Sequence, residues 1–258
     1  MQHDAIQELE QSIEGLYSAF AGYPLKPRIY GCECCVSPKD DVRIHSKPLR
    51  QLDWADLQRF AHKSMSTWGD VDDFKHFLPR LLELLPELNS WPICMDRLCP
   101  KIYEAGFQDW PEAERLAVDA YFLALWRAVV LTDVVPMNCY EFLSAMVSAQ
   151  APVQPFLDDL AKMLEEAGTA LHKLLYLVES VAWNHLYPAE AYNLLGEWSL
   201  DIAEEHGWSA ISRWLTKLEL KASLEDLYFQ QEDTDFARQL SRAIQQLDAL
   251  QSARPSHT

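Results

Sequence analysis

The sequence predicts an all-α protein of about ten helices in stacked antiparallel pairs, forming either a bundle or an irregular HEAT-like array. Two observations carry this prediction. Apolar residues recur at helical spacing along nearly the whole chain after Asp53. The 258 residues also include only eight glycines, and a helix interior disfavours glycine by about 1 kcal/mol relative to alanine. No fixed-period repeat is visible, so a regular solenoid is not established.

The first predicted helix covers residues 7–20 and ends at Gly22-Tyr23-Pro24. Residues 24–50 then differ from the rest of the chain. Prolines at positions 24, 27, 38 and 48, with short alternating stretches between them, favour an irregular segment that includes one short hairpin. We therefore expect an irregular, Cys-containing insert that packs on the helices.

The remaining chain is predicted to be helical almost to its end. Asp53 caps a helix that runs to about Ser66, and Asp70 or Asp72 caps the next one. Further helices are predicted over residues 92–105, 111–132, 137–149, 154–167, 169–187, 189–206, 208–220 and 233–251. We expect one helical domain, residues 1–252, followed by a frayed tail over 253–258.

The net charge of −17 limits the classes of partner. Such a surface repels nucleic acid and anionic lipid, because phosphate binding depends on Lys and Arg.

The most apolar stretch, residues 117–135, contains three charged side chains, so we expect a core helix there and no membrane span. The N-terminus has neither a basic region nor an apolar run, which predicts no secretory signal and a cytoplasmic location.

The segment Gly31-Cys32-Glu33-Cys34-Cys35 is the first candidate site. Cys32 and Cys35 have the C-x-x-C spacing of a metal knuckle or a redox pair, but a structural zinc ion needs four ligands. The interpretation that we favour is that these are small packing residues without a cofactor, since free cysteine is among the most buried residue types. Zinc is the alternative, with Cys32, Cys34, Cys35 and His45 as its ligands. Other candidates for the fourth ligand are Cys94, Cys99 and Cys139.

The cysteine segment lies in a basic part of an acidic chain. Residues 26–50 contain six basic side chains and only three acidic ones. Nearby positive charge lowers a thiol pKa, or these cations bind an anion. The interpretation that we favour is that they pair with acidic residues of the surrounding helices. The six basic residues are Lys26, Arg28, Lys39, Arg43, Lys47 and Arg50.

Two weaker candidates carry polar groups on helices. Asp72 and Asp73 each lie on the same helix face as His76. A carboxylate and an imidazole placed in this way can bind a metal ion or exchange a proton. A groove lined by Trp183, His185 and Tyr192 is the other. In both cases a structural role is the interpretation that we favour. No nucleotide-binding, hydrolase or metalloprotease motif is present, so we predict that the chain is not an enzyme.

Residues 201–235 form an acidic region with nine Asp and Glu against three basic residues. A solvated helix face explains this composition, and so does a docking surface for a basic protein. The predicted partner-binding residues are Glu204, Glu205, Glu219, Glu225 and Asp226. We therefore expect a protein-binding protein, such as an immunity-type inhibitor of a bacterial toxin. The alternative is a zinc-binding or thiol-dependent protein centred on the cysteine segment.

Three motifs in the first third of the chain carry a resemblance. They are Gly31–Cys35, Pro48–Leu52 and Asp73–Leu84, the last of which contains His-Phe-Leu-Pro-Arg. In these motifs the chain resembles a set of uncharacterised bacterial proteins that share a cysteine-rich N-terminal loop and an H-F-L-P-R helix. The resemblance implies a bacterial cytosolic origin and carries no function.

Overall fold

A computed structural model describes residues 2–87, 93–166, 168–186, 202–232 and 234–252, and it confirms the all-α class. Helices account for 76% of the structure. The described ranges contain twelve helices and no strand. These helices fall into two compact units, Met1–Met137 and Asn138–Thr258, called here the N-terminal and C-terminal units. The single domain and the stacked-pair arrangement stay predictions.

The N-terminal unit is built around helices that pack on α1. Helix α1 lies along α6 and also contacts α4, while α3 contacts α2, α4 and α5. Large side chains with no solvent exposure fill the space between them, among them Phe60, Phe77 and Tyr121. The helices are α1 (Gln2–Ala19), α2 (Pro38–Ile44), α3 (Trp54–Lys63), α4 (Val71–Leu84), α5 (Ile93–Glu104) and α6 (Glu112–Leu131).

Helices α3 and α4 begin at the residues that the capping pattern predicts. The Asp53 side chain accepts a hydrogen bond from the Asp56 amide at 2.9 Å, which satisfies one of the free N–H groups of the first turn. Asp70, rather than Asp72, caps α4, and it accepts from the Asp73 amide at 3.0 Å. Asp73 in turn accepts from the Asp70 amide at 3.0 Å, which completes a capping box.

The segment 24–50 is less irregular than expected, since it contains α2, and the described residues form no hairpin there. The start of α2 follows ordinary helix rules. Pro38 occupies the first turn, where its missing N–H costs nothing, and Asp40 accepts from the Ser37 amide at 2.8 Å. Ser-Pro-x-Asp was therefore a helix signal, although the density of prolines favoured irregular chain.

The C-terminal unit centres on α9, which packs against α12, α7 and α8; α10 contacts α7 and α8, and α11 contacts α12. The prediction of one helix over 208–220 is wrong, because the chain breaks at Thr216-Lys217 and a separate helix follows. The predicted helix over 189–206 lies largely outside the described residues. The helices are α7 (Cys139–Ser148), α8 (Gln154–Glu166), α9 (Gly168–Leu186), α10 (Ile202–Leu215), α11 (Leu218–Gln230) and α12 (Thr234–Ser252).

The apolar stretch predicted as a core helix forms most of α6. Its residues Leu125, Trp126 and Val129 have no solvent exposure, as a core position requires. Among the helices in the described ranges, none combines the length and the apolar character needed to cross a bilayer.

Candidate metal centre

The thiols of Cys32, Cys34 and Cys35 converge at one point on the surface of the N-terminal unit. The Sγ atom of Cys34 lies 2.9 Å from that of Cys32 and 3.6 Å from that of Cys35. All three sulfurs lie within 4.8 Å of one another, so the group could hold a metal ion. Within the described part of the chain, no other His, Cys, Asp or Glu joins this group.

The burial of these cysteines corrects the packing interpretation. Cys32 and Cys34 are exposed and Cys35 is half-buried, and all three are free thiols. Free cysteine that only packs is normally buried, as Cys99 and Cys139 are in this chain. The three loop cysteines therefore do not serve as core residues.

A tight backbone turn brings the three side chains together. The amides of Cys35 and Val36 both donate to the Cys32 carbonyl at 2.9 Å. In extended chain, neighbouring side chains point to opposite sides, which is why the sequence argued against three ligands from one loop. The turn removes that objection, because it gathers residues 32–35 around a single carbonyl.

Backbone hydrogen bonds fix the loop to the connection between α3 and α4. The Cys32 amide donates to the Thr67 carbonyl at 2.8 Å, and the Gly69 amide donates to the Tyr30 carbonyl at 2.8 Å. Both bonds join residues that are far apart in sequence. The cysteine loop is therefore held by the fold of the N-terminal unit rather than by local sequence alone.

Trp68 forms the floor beneath this loop. Its side chain is 1% exposed and packs edge-on against Phe60, with ring centroids 5.3 Å apart. Gly31 passes so close above it that an added Cβ would stand 3.2 Å from Trp68 Cδ1 and 3.0 Å from Val36 Cγ2. A side chain at position 31 would push the loop away from its floor, which explains the glycine.

Two cations of α3 hold the far side of the loop. Arg59 Nη2 and Lys63 Nζ donate to the Cys35 carbonyl at 3.0 Å and 2.6 Å. Arg59 also pairs with Asp40 at 3.0 Å. Both cations lie outside the basic segment 26–50, so composition did not mark them, although their i,i+4 spacing places them on one helix face. They bring positive charge to a site whose ligands are anionic when ionised.

The thiols of Cys32 and Cys34 differ in their readiness to ionise. Hydrogen bonding by Cys34 lowers the pKa of Cys32 below its usual value, because that contact stabilises the Cys32 thiolate. The contacts with Cys32 and then Cys35 raise the pKa of Cys34 to about 11. Of these two thiols, Cys32 is therefore the more readily ionised and the more reactive towards a metal ion or an electrophile.

The structure does not bring His45 into the sulfur group. Its Nδ1 lies 2.7 Å from the Asp41 carbonyl oxygen, and its Nε2 lies 2.8 Å from the Lys26 carbonyl oxygen. A neutral imidazole has only one N–H, so both carbonyls are satisfied together only by the protonated ring. In this arrangement neither ring nitrogen faces a metal, and His45 instead ties the start of the insert to α2.

This arrangement predicts that His45 stabilises the fold at acidic rather than alkaline pH. Burial lowers its pKa, but the two carbonyl hydrogen bonds and the charge of Asp41 outweigh burial, so the pKa lies above its ordinary value. The stabilisation of the folded state by His45 is full below the pKa of histidine in the unfolded chain, about 6.5. It is lost as the pH rises through the pKa of His45 in the folded chain. The other charged or titratable groups in this cluster are Lys26, Asp70, Asp73 and His76.

The measurement is urea unfolding of the parent chain and of His45→Gln, from about pH 5 to about pH 8. The parent should be more stable than the variant at low pH, by about 1 kcal/mol for one hydrogen bond, and the gap should narrow as the pH rises. A difference in the free energy of unfolding that stays constant or increases with pH would contradict a protonated His45 ring.

Three of the six basic residues of segment 26–50, Lys26, Lys47 and Arg50, form ion pairs with acidic residues of the neighbouring helices. Lys26 pairs with Asp70 and Asp73, at 2.7 Å and 3.0 Å. Lys47 pairs with Asp53 and Asp56 at 3.2 Å and 2.7 Å, and Arg50 with Glu14 at 2.6 Å. These pairs attach the insert to the first turns of α3 and α4 and to α1.

The weaker candidates have structural contacts or lie outside the described residues. Asp73 belongs to the α4 capping box, and His76 Nδ1 lies 2.7 Å from the Tyr23 carbonyl oxygen. Burial lowers the pKa of His76.

Cys139 is buried, which raises its pKa to about 12. Trp183 is half-exposed, whereas Tyr192 and the side chains of Cys94 and His185 lie outside the described residues.

The predicted partner-binding residues are divided between two helices. Glu219 and Asp226 are exposed on α11, seven residues apart and so on one helix face. Phe229 continues this face and is 82% exposed. Glu225 is half-buried and lies 3.6 Å from Lys221. Residues 204 and 205 belong to α10, and the side chains of Glu204 and Glu205 lie outside the described residues.

Comparison of the chain with known protein families, with curated proteins and with solved structures found no match. The class of protein is therefore defined by the fold and the site. It is an all-α protein whose N-terminal unit carries a group of three thiols, two of them exposed, that could hold a metal ion.

Proposed function

We propose that this chain is a metal-binding protein that holds one thiophilic metal ion through Cys32, Cys34 and Cys35. The observation that carries the proposal is the convergence of three free sulfurs within 4.8 Å. Thiolates are ligands that select soft or borderline ions such as zinc and copper(I). Zinc is the ion that the C-x-x-C spacing suggests.

The surroundings of the thiols support this proposal. The exposure of Cys32 and Cys34 gives an ion direct access from solvent. Arg59 and Lys63 lie on the Cys35 carbonyl, where their positive charges offset those of thiolates. A zinc ion held by three protein ligands keeps a fourth position for water or for another molecule.

The test is the metal content of the reduced chain, purified without chelator, followed by titration with zinc against a chromophoric chelator. We expect one bound ion per chain, and we expect Cys34→Ser to weaken binding at least about tenfold, since a ligand is lost. Cys139→Ala is the matched control, because it removes a thiol that is buried elsewhere. Absence of any bound metal, or equal binding by Cys34→Ser, would refute the proposal.

We also propose that the chain binds a basic protein partner through α11. The exposed face that carries Glu219, Asp226 and Phe229 supports this proposal, because it combines two carboxylates with an aromatic side chain in a chain of net charge −17. Interfaces are enriched in aromatic residues, and complementary charge accelerates association. In its most specific form, the partner is a bacterial toxin that this chain neutralises.

The test of docking is a pull-down of protein partners from the native host, with binding of any basic protein that is captured then measured at low and high salt. The double variant Glu219→Lys/Asp226→Lys should slow association and reduce the salt dependence. Glu10→Lys/Glu165→Lys is the control, since it changes the net charge equally at exposed positions elsewhere. Equal effects of the two double variants would show that α11 is not the docking surface.

A further inference from the structure

We infer that the three-thiol group is a site for monovalent copper, which it holds at the protein surface in a three-coordinate, all-sulfur arrangement. The inference rests on the proposed metal-binding function and names the ion. It is carried by the number of ligands that the structure brings together and by the spacing of the sulfurs.

The number of ligands favours a three-coordinate ion. A structural zinc site is closed by four protein ligands, and here the loop offers three. His45 has both ring nitrogens on backbone carbonyls, and Cys99 is fully buried. Glu33 lies in the same loop, yet in the described chain no carboxylate joins the sulfur group. Copper(I) is a soft ion that thiolates select, and three sulfurs complete its coordination.

The sulfur spacing suits a trigonal site. With metal–sulfur distances of about 2.3 Å, the sulfurs of a planar three-coordinate site stand about 4 Å apart. In the loop, two of the separations are 2.9 Å and 3.6 Å, and all three lie within 4.8 Å. An ion would therefore need the sulfur separations to change by about an ångström at an exposed turn.

The local charge compensates part of the negative charge that a metal–thiolate group carries. Three thiolates around copper(I) leave two negative charges in excess, whereas zinc would leave one. Arg59 and Lys63 supply two positive charges at the Cys35 carbonyl, although Arg59 shares its charge with Asp40. Because Cys32 and Cys34 are exposed, solvent and its ions screen the negative charge that remains on the thiolates.

Binding at this site is an exchange of protons for copper. Three S–H bonds break, three copper–sulfur bonds form, and three protons pass to the solvent. Copper remains monovalent throughout, so no oxidant or reductant takes part. Because Cys32 and Cys34 are exposed, an incoming thiol can approach the bound ion directly. The site can therefore accept copper(I) from a thiol ligand and return it.

The experiment is an anaerobic titration of the reduced full-length chain with copper(I), supplied as its acetonitrile complex, against a chromophoric copper(I) chelator. A parallel titration uses zinc alone. We expect one copper(I) per chain, displacement of pre-bound zinc, and at least a tenfold loss of copper(I) affinity in Cys34→Ser. His45→Gln and Cys139→Ala should bind copper(I) as the parent does, and circular dichroism checks that each variant is folded.

The outcomes separate this inference from the proposed function. If zinc binds through the three cysteines but copper(I) does not displace it, the inference is wrong and the metal-binding function stands. A loss of copper(I) affinity in His45→Gln would also overturn the inference, because it would show a mixed sulfur and nitrogen site. If neither ion binds, or if Cys34→Ser and Cys32→Ser bind both as the parent does, both proposals fail.

Discussion

Replacing Lys75 with alanine should destabilise the N-terminal unit by about 3–5 kcal/mol, the usual cost of removing one partner from a buried ion pair. Lys75 and Glu114 are each 5% exposed, and Lys75 Nζ lies 2.7 Å from Glu114 Oε2. The same ammonium group donates to Tyr23 Oη at 3.1 Å and lies 4.3 Å from the centroid of the Trp110 ring.

The cost is large because the carboxylate left behind stays buried. In Lys75→Ala, the Tyr23 hydroxyl, which donates to Glu114 at 2.7 Å, is the one hydrogen-bonding side chain left to this carboxylate among the described residues. A buried charge with a single neutral partner is strongly destabilising. The pair joins α4 to α6 and to the chain that follows α1, so its loss should act on the whole N-terminal unit.

The measurement is urea unfolding at neutral pH, with Lys47→Ala as the matched control. Lys47 also forms two ion pairs, with Asp53 and Asp56, but its side chain is 39% exposed. An exposed pair contributes at most about 1 kcal/mol. Similar losses in the free energy of unfolding in the two variants would show that the burial of the Lys75–Glu114 pair does not determine its contribution to stability. The further change Glu114→Gln should restore part of the stability lost in Lys75→Ala, because it removes the unpaired charge.

Trp68→Ala should destabilise the N-terminal unit by about 3–5 kcal/mol as well, because it leaves a large cavity in the core. It should also weaken metal binding, since the floor of the cysteine loop is lost. Trp68 is 1% exposed and packs on Phe60, and Gly31 rests directly against it. Unfolding stability and metal affinity thus both report on the Trp68 side chain.

Trp68→Phe separates the effect on the fold from the effect on the site. It keeps an aromatic ring on Phe60 but loses the indole N–H, which has no hydrogen-bond partner in the described chain. We expect a smaller loss of stability than in Trp68→Ala, with metal affinity largely kept. Metal titrations are made without denaturant, under conditions where circular dichroism shows a folded chain. Normal affinity in folded Trp68→Ala would show that the loop does not depend on this floor.

The parts of the fold that sequence predicted are those set by local rules. Asp53 and Asp70 cap helices at the expected places because N-capping depends on a few neighbouring residues. Helix α2 was missed because its Ser-Pro-x-Asp start lies among prolines that also suit irregular chain. The break at Thr216-Lys217 was missed because the apolar pattern runs through it, while the Thr216 hydroxyl bonds the Ser212 carbonyl at 2.7 Å.

The candidate site was found in the sequence only in part. The spacing of the cysteines marks them, but their convergence depends on a turn fixed by Thr67 and Trp68, far away in sequence. The assignment of His45 as a ligand could not be tested from spacing, since its bonds to Lys26 and Asp41 arise from tertiary packing. Long-range contacts of this kind leave no periodic signal in one sequence.

X-ray absorption at the copper edge of the chain loaded with one equivalent counts the atoms bound to the ion, and so distinguishes a three-thiol site from any other. We expect three sulfur neighbours at about 2.3 Å and no nitrogen or oxygen neighbour. We also expect that Cys34→Ser loses one of the three sulfurs, while His45→Gln gives an unchanged spectrum. An imidazole contribution that disappears in His45→Gln, or a spectrum that does not respond to Cys34→Ser, would contradict the three-thiol site.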